Sequence, residues 1–177
     1  MCGIIGYLGE NCAKNLLNGL NQLQNRGYDS AGLCKIVPAI KPGFSLHKFS
    51  TDTTMNAIDK LEAVENITAQ DKDKMIAGIA HTRWATHGPR TDNNSHPHMS
   101  SDGKFVIVHN GIIENFRVLK EKLVEKGYTF QSQTDSEVIA NVLSYEYSLI
   151  DSSVENRIIK TIQSTFKQLE GTWGVAI

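Results

Sequence analysis

The chain predicts one domain of mixed helix and strand, an α+β fold over residues 1–177, and three observations carry that expectation. Short apolar, β-prone runs bounded by glycine alternate with segments whose apolar residues recur at helical spacing. Capping-type residues and glycines punctuate the helical segments. No internal repeat, low-complexity tract or linker divides the chain. A chain of this length buries roughly 70% of its unfolded surface, enough for a stable core.

The run GIIGYLG at 3–9 is apolar and glycine-bounded, the pattern of a buried strand that ties the chain start into the core. From 12 to 24, Leu16, Leu17, Leu20 and Leu23 fall on one helical face behind a cap at Asn11, with Gly27 just past the end. Residues 31–37 and 44–49 read as strands around a turn at Pro42 and Gly43, and 53–64 as a helix. The polar, aperiodic stretch 65–74 predicts a surface loop or frayed helix with no chemistry. Two β-prone runs, 75–81 and 104–109, flank a segment rich in Gly, Pro, His and Asn over 86–103, which predicts strand, long loop, strand. Ile113, Phe116, Leu119, Leu123 and the closing Gly127 mark another helix, with a short strand expected at 128–131. Thr134 and Glu137 have capping-box spacing ahead of Val138, Ile139, Val142 and Leu143. Ser152 and Glu155 repeat it ahead of Val154, Ile158, Ile162, Phe166 and Leu169. TWGVAI at 172–177 reads as a strand at its start.

Composition excludes several functions. Lys+Arg 18 against Asp+Glu 19 leaves no long-range field to gather nucleic acid or anionic lipid. No apolar run approaches the roughly 18 residues needed to span a bilayer, and no secretory signal pattern opens the chain, so a cytoplasmic location is expected. Cys2, Cys12 and Cys34 are odd in number and widely spaced, which fits reduced thiols better than a disulfide framework or a four-cysteine zinc site. Cys12 and Cys34 are expected to be packing residues. His81, His87, His96, His98 and His109 have no carboxylate spaced to complete a metal site, and Pro97 argues against a helical His pair at His96 and His98. Neither a metal nor another cofactor is expected.

The sequence Met1-Cys2-Gly3 has a chemical consequence. A small second residue permits removal of the initiator methionine, leaving one residue with both a thiol and a free α-amine. An α-amine has a reference pKa of about 7.7–8.0, so near neutrality an unprotonated part can accept the thiol proton directly or through water. On its own, a second-position cysteine is more often incidental than catalytic.

Its company changes the weighing. The chain carries CGIIGYLG from Cys2, NRGYDSAG from Asn25, HTRWATHG from His81, HPH from His96, HNGIIEN from His109 and TDSEVIA from Thr134. In this order and spacing the blocks resemble the class II glutamine amidotransferases, which are N-terminal-nucleophile hydrolases. Within that class they are most similar to the glutaminase domain of the glucosamine-6-phosphate synthases, also called glutamine:fructose-6-phosphate aminotransferases. The resemblance spans essentially the whole chain, departing from the family around 50–55, where an expected glycine and lysine are absent.

The resemblance implies roles, each with a plainer alternative. Cys2 is the implied nucleophile, and Arg26 and Gly27 the segment beside it, Arg26 positioning the terminus; a charge near a helix end is the alternative for Arg26. Arg83 pairs its planar guanidinium with the substrate α-carboxylate, or is a surface arginine after a strand. Asp135 binds the α-ammonium, or serves the helix dipole, and both can hold at once. Asn110, through its side-chain amide, and Gly111, through its N–H, form an oxyanion hole. Asn-Gly is also a hairpin signal, although HNGIIEN runs on toward a helix. Trp84, Thr86 and His87 lie on a loop that covers bound glutamine, a packed aromatic being the alternative for Trp84.

The implied fold is a four-layer αββα sandwich of the N-terminal-nucleophile hydrolase type, shortened at the C-terminus, without the sugar-phosphate isomerase domains. The implied partners are glutamine and either a separate fructose-6-phosphate isomerase/synthase subunit or a second copy of the chain. Three readings stay open: an active glutaminase, a glutamine-binding or regulatory module, and an inert piece of a longer synthase. An amidophosphoribosyltransferase-like glutaminase is the alternative family.

Overall fold

The computed structural model describes residues 2–37, 43–68, 77–84 and 89–177, except for the side chains of Arg26, Val37, Ile67 and Thr68. Between Pro97 and His98 the chain parts into two compact units.

The first unit is built from β1 (Gly3–Leu8), α1 (Cys12–Leu23), a 3-10 turn (Gln24–Arg26), β2 (Ser30–Val37), β3 (Gly43–Ser50), α2 (Ala57–Thr68) and β4 (Ala77–Arg83). Its antiparallel sheet runs β1-β4-β2-β3. The register pairs Gly3 with Thr82 and Ser30 with Arg83, so the end of β4 lies between the starts of β1 and β2. The leucine stripe of α1 performs as its spacing predicts. Leu16 and Leu20 are buried with Leu33 of β2, Ala80 of β4, and Ile58 and Leu61 of α2. Gly78 admits this helix, since a Cβ there would lie 2.8 Å from both Cys12 Sγ and Leu16 Cδ1.

Three expectations for this unit need correction. Asn11 precedes α1 in a left-handed conformation that asparagine tolerates, but it makes no side-chain cap. The helix expected at 53–64 begins later, because Asp52 folds the preceding residues into a turn. Its carboxylate accepts the N–H groups of Thr54 at 2.7 Å and Met55 at 3.0 Å. Lys60, and after it Thr54 and Met55, hold the Asp52 carboxyl well below the usual range. Asn56 then accepts the Asp59 N–H at 2.9 Å, which starts α2. The helix continues through Glu65, which is buried and ion-paired with the equally buried Lys35 of β2, not a loop residue on the surface. The rest of the 65–74 stretch beyond Thr68, together with Pro42 and Met75, lies outside the described residues.

The second unit holds β5 (His98–Met99), β6 (Val106–Ile113), α3 (Phe116–Glu125), α4 (Ser136–Leu149), α5 (Arg157–Phe166) and β7 (Gly171–Ala176). Its sheet runs β5-β6-β7, with β5 antiparallel to β6. β5 falls inside the segment expected to be loop. α4 is buried almost throughout its first three turns, and Val138, Ile139, Val142 and Leu143 pack with Ile107, Ile113, Leu119 and Leu123. β6 and β7 approach each other with glycine on both sides. A Cβ on Gly111 would lie 1.9 Å from Thr172 O, and one on Gly171 would lie 2.1 Å from Ile112 O.

No strand forms at 128–131, and neither capping box forms. Glu137 reaches past Thr134 to the N–H groups of Gln131 and Ser132. α5 starts at Arg157 behind a left-handed Asn156, because Asp151 takes the Ser153 N–H at 2.8 Å and holds the preceding residues in a turn; Val154 therefore precedes the helix. On α5, Thr161 and Thr165 are buried while Ile158 is half-exposed. Thr161 can be buried because its hydroxyl donates to the Arg157 carbonyl at 2.9 Å. With two antiparallel sheets, each carrying its own helices, the expected α+β class is observed.

Candidate active site

In the first unit the site residues converge on the end of β4. The strand delivers Arg83 as its last residue, 6% exposed rather than on the surface, and Trp84 follows. Cys2 precedes β1, and its sulfur accepts the Trp84 N–H at 3.2 Å while the thiol faces the Trp84 carbonyl at 3.7 Å. The thiol is thereby oriented by the backbone of the neighbouring strand end. Two glycines make this approach possible. A Cβ on Gly3 would lie 2.8 Å from Leu23 Cδ1 and 3.0 Å from Thr82 Oγ1, so a side chain there would push β1 off α1 and β4. The Gly3 N–H donates to that same Thr82 oxygen at 3.1 Å.

Gly27 lies against the Arg83 backbone, where a Cβ would meet the carbonyl carbon at 2.8 Å. The neighbouring Asp29 donates its N–H to Arg83 O at 3.1 Å and is buried, with Arg90 Nη1 3.2 Å from its carboxylate. Gly27 thus backs the strand end that carries Arg83 and Trp84. The side chain of Arg26 lies outside the described residues, as do Thr86 and His87. Trp84 is 43% exposed and stands edge-on to Tyr28 with ring centroids 5.2 Å apart. It is not a core residue.

The remaining thiols are unsuited to nucleophilic work. Cys12 and Cys34 are buried, and burial, with Cys12 nearby, pushes Cys34 up to about 12. Cys2 is the partly exposed thiol.

In the second unit, Asn110 and Gly111 lie within β6, not at a hairpin. Gly111 has φ +137°, a conformation side chains rarely adopt, and this accompanies its close approach to Thr172. Asp135 stands at the start of α4 without capping it. Its Oδ2 accepts the Ile113 N–H at 2.8 Å, fixing the carboxylate to the same strand that presents Asn110 and Gly111. A second tie joins His109 Nδ1 and Ser136 Oγ at 2.8 Å. Burial pushes the His109 imidazole down, outweighing the upward pull of Asp135 and of the Thr172 backbone, so the ring is held neutral. Sequence reasoning missed Gly3, His109 and Glu137 as supports. All three fall in the motif blocks, but only Glu137 was given a specific role there, and its spacing from Thr134 pointed to a cap.

Among the described residues no group of three or more His, Cys, Asp or Glu is placed to hold a metal ion. No described helix is long and apolar enough to cross a membrane.

Known proteins extend these observations. The family described as the glutamine amidotransferase domain matches residues 81–177. The chain is 43% identical over 178 residues to the glutamine–fructose-6-phosphate aminotransferase (isomerizing) of Methanococcus maripaludis, covering 100% of this chain and 28% of that protein. It is 42% identical over 180 residues to the enzyme of the same name from Bacteroides thetaiotaomicron, covering 100% of this chain and 27% of that protein. The chain therefore spans little more than a quarter of these relatives. The glutamine phosphoribosylpyrophosphate amidotransferase of B. subtilis, solved with ADP and GMP, superimposes with TM-score 0.71 at 22% identity, over 99% of this chain and 34% of that one. A structure described as the allosteric regulatory enzyme of purine biosynthesis gives TM-score 0.72 at 21% identity, over 99% and 34%. These two likenesses establish a shared fold.

Proposed function

The chain belongs to the glutamine amidotransferase domain family, and from that premise we propose that it hydrolyses the side-chain amide of glutamine through a thioester on Cys2. The observation that carries this reading is the partly exposed Cys2 sulfur, held by the Trp84 N–H at 3.2 Å beside the buried Arg83. After loss of Met1, the Cys2 α-amine takes the thiol proton and the sulfur attacks the amide carbon. The tetrahedral oxyanion is met by the Asn110 side-chain amide and the Gly111 N–H, donors of a kind each worth about 10²–10³ in rate. The intermediate collapses, the ammonium returns its proton to the leaving nitrogen, and ammonia departs. Water, deprotonated by the same amine, then attacks the thioester, releasing glutamate and regenerating the thiol.

Arg83 holds the substrate α-carboxylate and Asp135 the α-ammonium, which leaves the amide as the reactive end. Trp84, with Thr86 and His87, covers the bound substrate, and Arg26 with Gly27 positions the nucleophile. The relatives' names point to fructose 6-phosphate as the ammonia acceptor, handled by a synthase part or subunit.

The test is glutamate release by the purified chain, with intact mass to establish loss of Met1. Cys2→Ala should abolish release and also abolish covalent labelling by a glutamine-analogue electrophile. Unchanged hydrolysis in Cys2→Ala would defeat the mechanism, whereas glutamine binding without turnover in the parent chain would make it a binding module.

A further inference from the structure

Glu137 of α4 is 5% exposed, and a buried carboxylate needs donors. It finds three. Oε1 accepts the Gln131 N–H at 2.8 Å, and Oε2 accepts the Ser132 N–H at 2.7 Å and the Ser132 hydroxyl at 2.6 Å. An ionised carboxylate only accepts, so it sets the direction of the hydrogen bonds beyond it. The Ser132 hydroxyl must donate to Glu137, which leaves its oxygen to accept from the Thr134 hydroxyl at 2.9 Å and the Thr134 N–H at 3.3 Å. The Thr134 oxygen in turn accepts from His98 Nε2 at 3.1 Å. One carboxylate thus orders the segment from Gln131 to Thr134 and binds it to β5.

The next residue is Asp135. Its carboxylate is fixed on the other side by the Ile113 N–H, and Ser136 by His109. The Asp135 side chain makes no cap bond to its own helix, and its contact within α4 is a long one, the Ser136 hydroxyl donating to Oδ1 at 3.5 Å, from a serine that is itself tied to His109 of β6. The position of Asp135 follows from two anchors: β6 on one side and the Glu137-ordered segment on the other.

We propose that Glu137 is a positioning residue for substrate recognition, fixing Asp135 where it reads the α-ammonium of glutamine. The inference rests on the glutaminase reading above and names what makes that reading selective for an amino acid. A glutamine at 137 has nearly the same shape but one acceptor oxygen, so its amide nitrogen would face at least one of the three donors. The segment would then loosen without a change in core volume.

The experiment compares kcat/KM for glutamine with kcat/KM for 4-carbamoylbutanoate, which lacks the α-ammonium, in the parent chain and in Asp135→Asn, Glu137→Gln and Ser132→Ala. Any unfolded fraction scales both rates equally and cancels in the ratio, so a purely structural effect leaves it unchanged. Asp135→Asn should lower the preference for glutamine about 10-fold or more, the size of a lost charge-assisted hydrogen bond. Glu137→Gln should lower it about threefold or more, chiefly through the KM for glutamine, and Ser132→Ala should do so less. If Asp135→Asn lowers the ratio and Glu137→Gln leaves it within twofold of the parent, the positioning role is wrong, whatever happens to the individual rates. If Asp135→Asn leaves the ratio unchanged, or the parent chain releases no glutamate, the underlying reading of the site fails instead.

Discussion

Replacing Gly111 by alanine tests the close approach of β6 and β7. The added Cβ would sit 1.9 Å from the Thr172 carbonyl oxygen, whereas ordinary contact begins at 3.4 Å, so the two strands must separate by roughly 1.5 Å. Alanine must also hold φ near +137°, a conformation that costs a side-chain-bearing residue about 1–3 kcal/mol. Overpacking of the strand pair adds about 1–3 kcal/mol, giving about 2–6 kcal/mol in all. For a chain of this size that lowers Tm by at least about 4 °C. The assay is thermal unfolding followed by circular dichroism, with Gly6→Ala as the control. Gly6 also lies in a strand, but a Cβ there meets nothing within 4 Å, and its Tm should stay within about 2 °C of the parent. Activity gives a second readout, because a displacement on the order of 1 Å at an oxyanion donor lowers glutamate release about 10²-fold. Equal melting temperatures for the two variants would refute the strand-contact argument, and undiminished release by Gly111→Ala would remove Gly111 from the proposed oxyanion hole.

Two further outcomes follow from buried charge. Glu65→Leu strands the Lys35 ammonium in the first unit's interior, beside a His47 ring that lies 4.0 Å from Glu65, and should cost about 3–5 kcal/mol in urea unfolding; Lys35→Met combined with Glu65→Leu should recover most of the loss, and equal stability of the single and double variants would contradict the pairing. His109 titrates near 6.5 once unfolded but is held lower in the folded chain, so below about pH 6.5 the unfolded state binds a proton that the folded state refuses, and stability falls as pH drops. Replacing His109 by asparagine should flatten the Tm profile below about pH 6.5, and a parent profile no steeper than the variant's would show that the ring is not held neutral.

How far the sequence could be read depended on whether a pattern's partners lay nearby. The leucines of α1 and the apolar face of α4 follow a helical period, so their elements were legible without knowing what they would pack against. The two capping-box spacings failed because spacing names a possible donor, not the strongest acceptor competition. Glu137 had donors at Gln131 and Ser132 that outbid Thr134, and Asp151 had already committed the residues before α5 to a turn. Glu65 was misread for a related reason. Its polar neighbours suggested surface, but the informative residue was Lys35, a charge inside the apolar run LCKIV that required a buried partner from elsewhere in the chain. The site divides in the same way. Cys2, Arg83 and Asp135 were accessible through motif resemblance, because side-chain chemistry is written in residue type. The requirement for glycine at positions 3, 27 and 111 is set by Thr82 with Leu23, by Arg83 and by Thr172, contacts that no local window contains. Asn110-Gly111 shows the difference most clearly. The dipeptide alone favours a hairpin, yet it lies inside β6, and Gly171 of β7 comes close to the same strand at Ile112. The positive φ at Gly111 serves an approach between two strands whose other half is written sixty residues later.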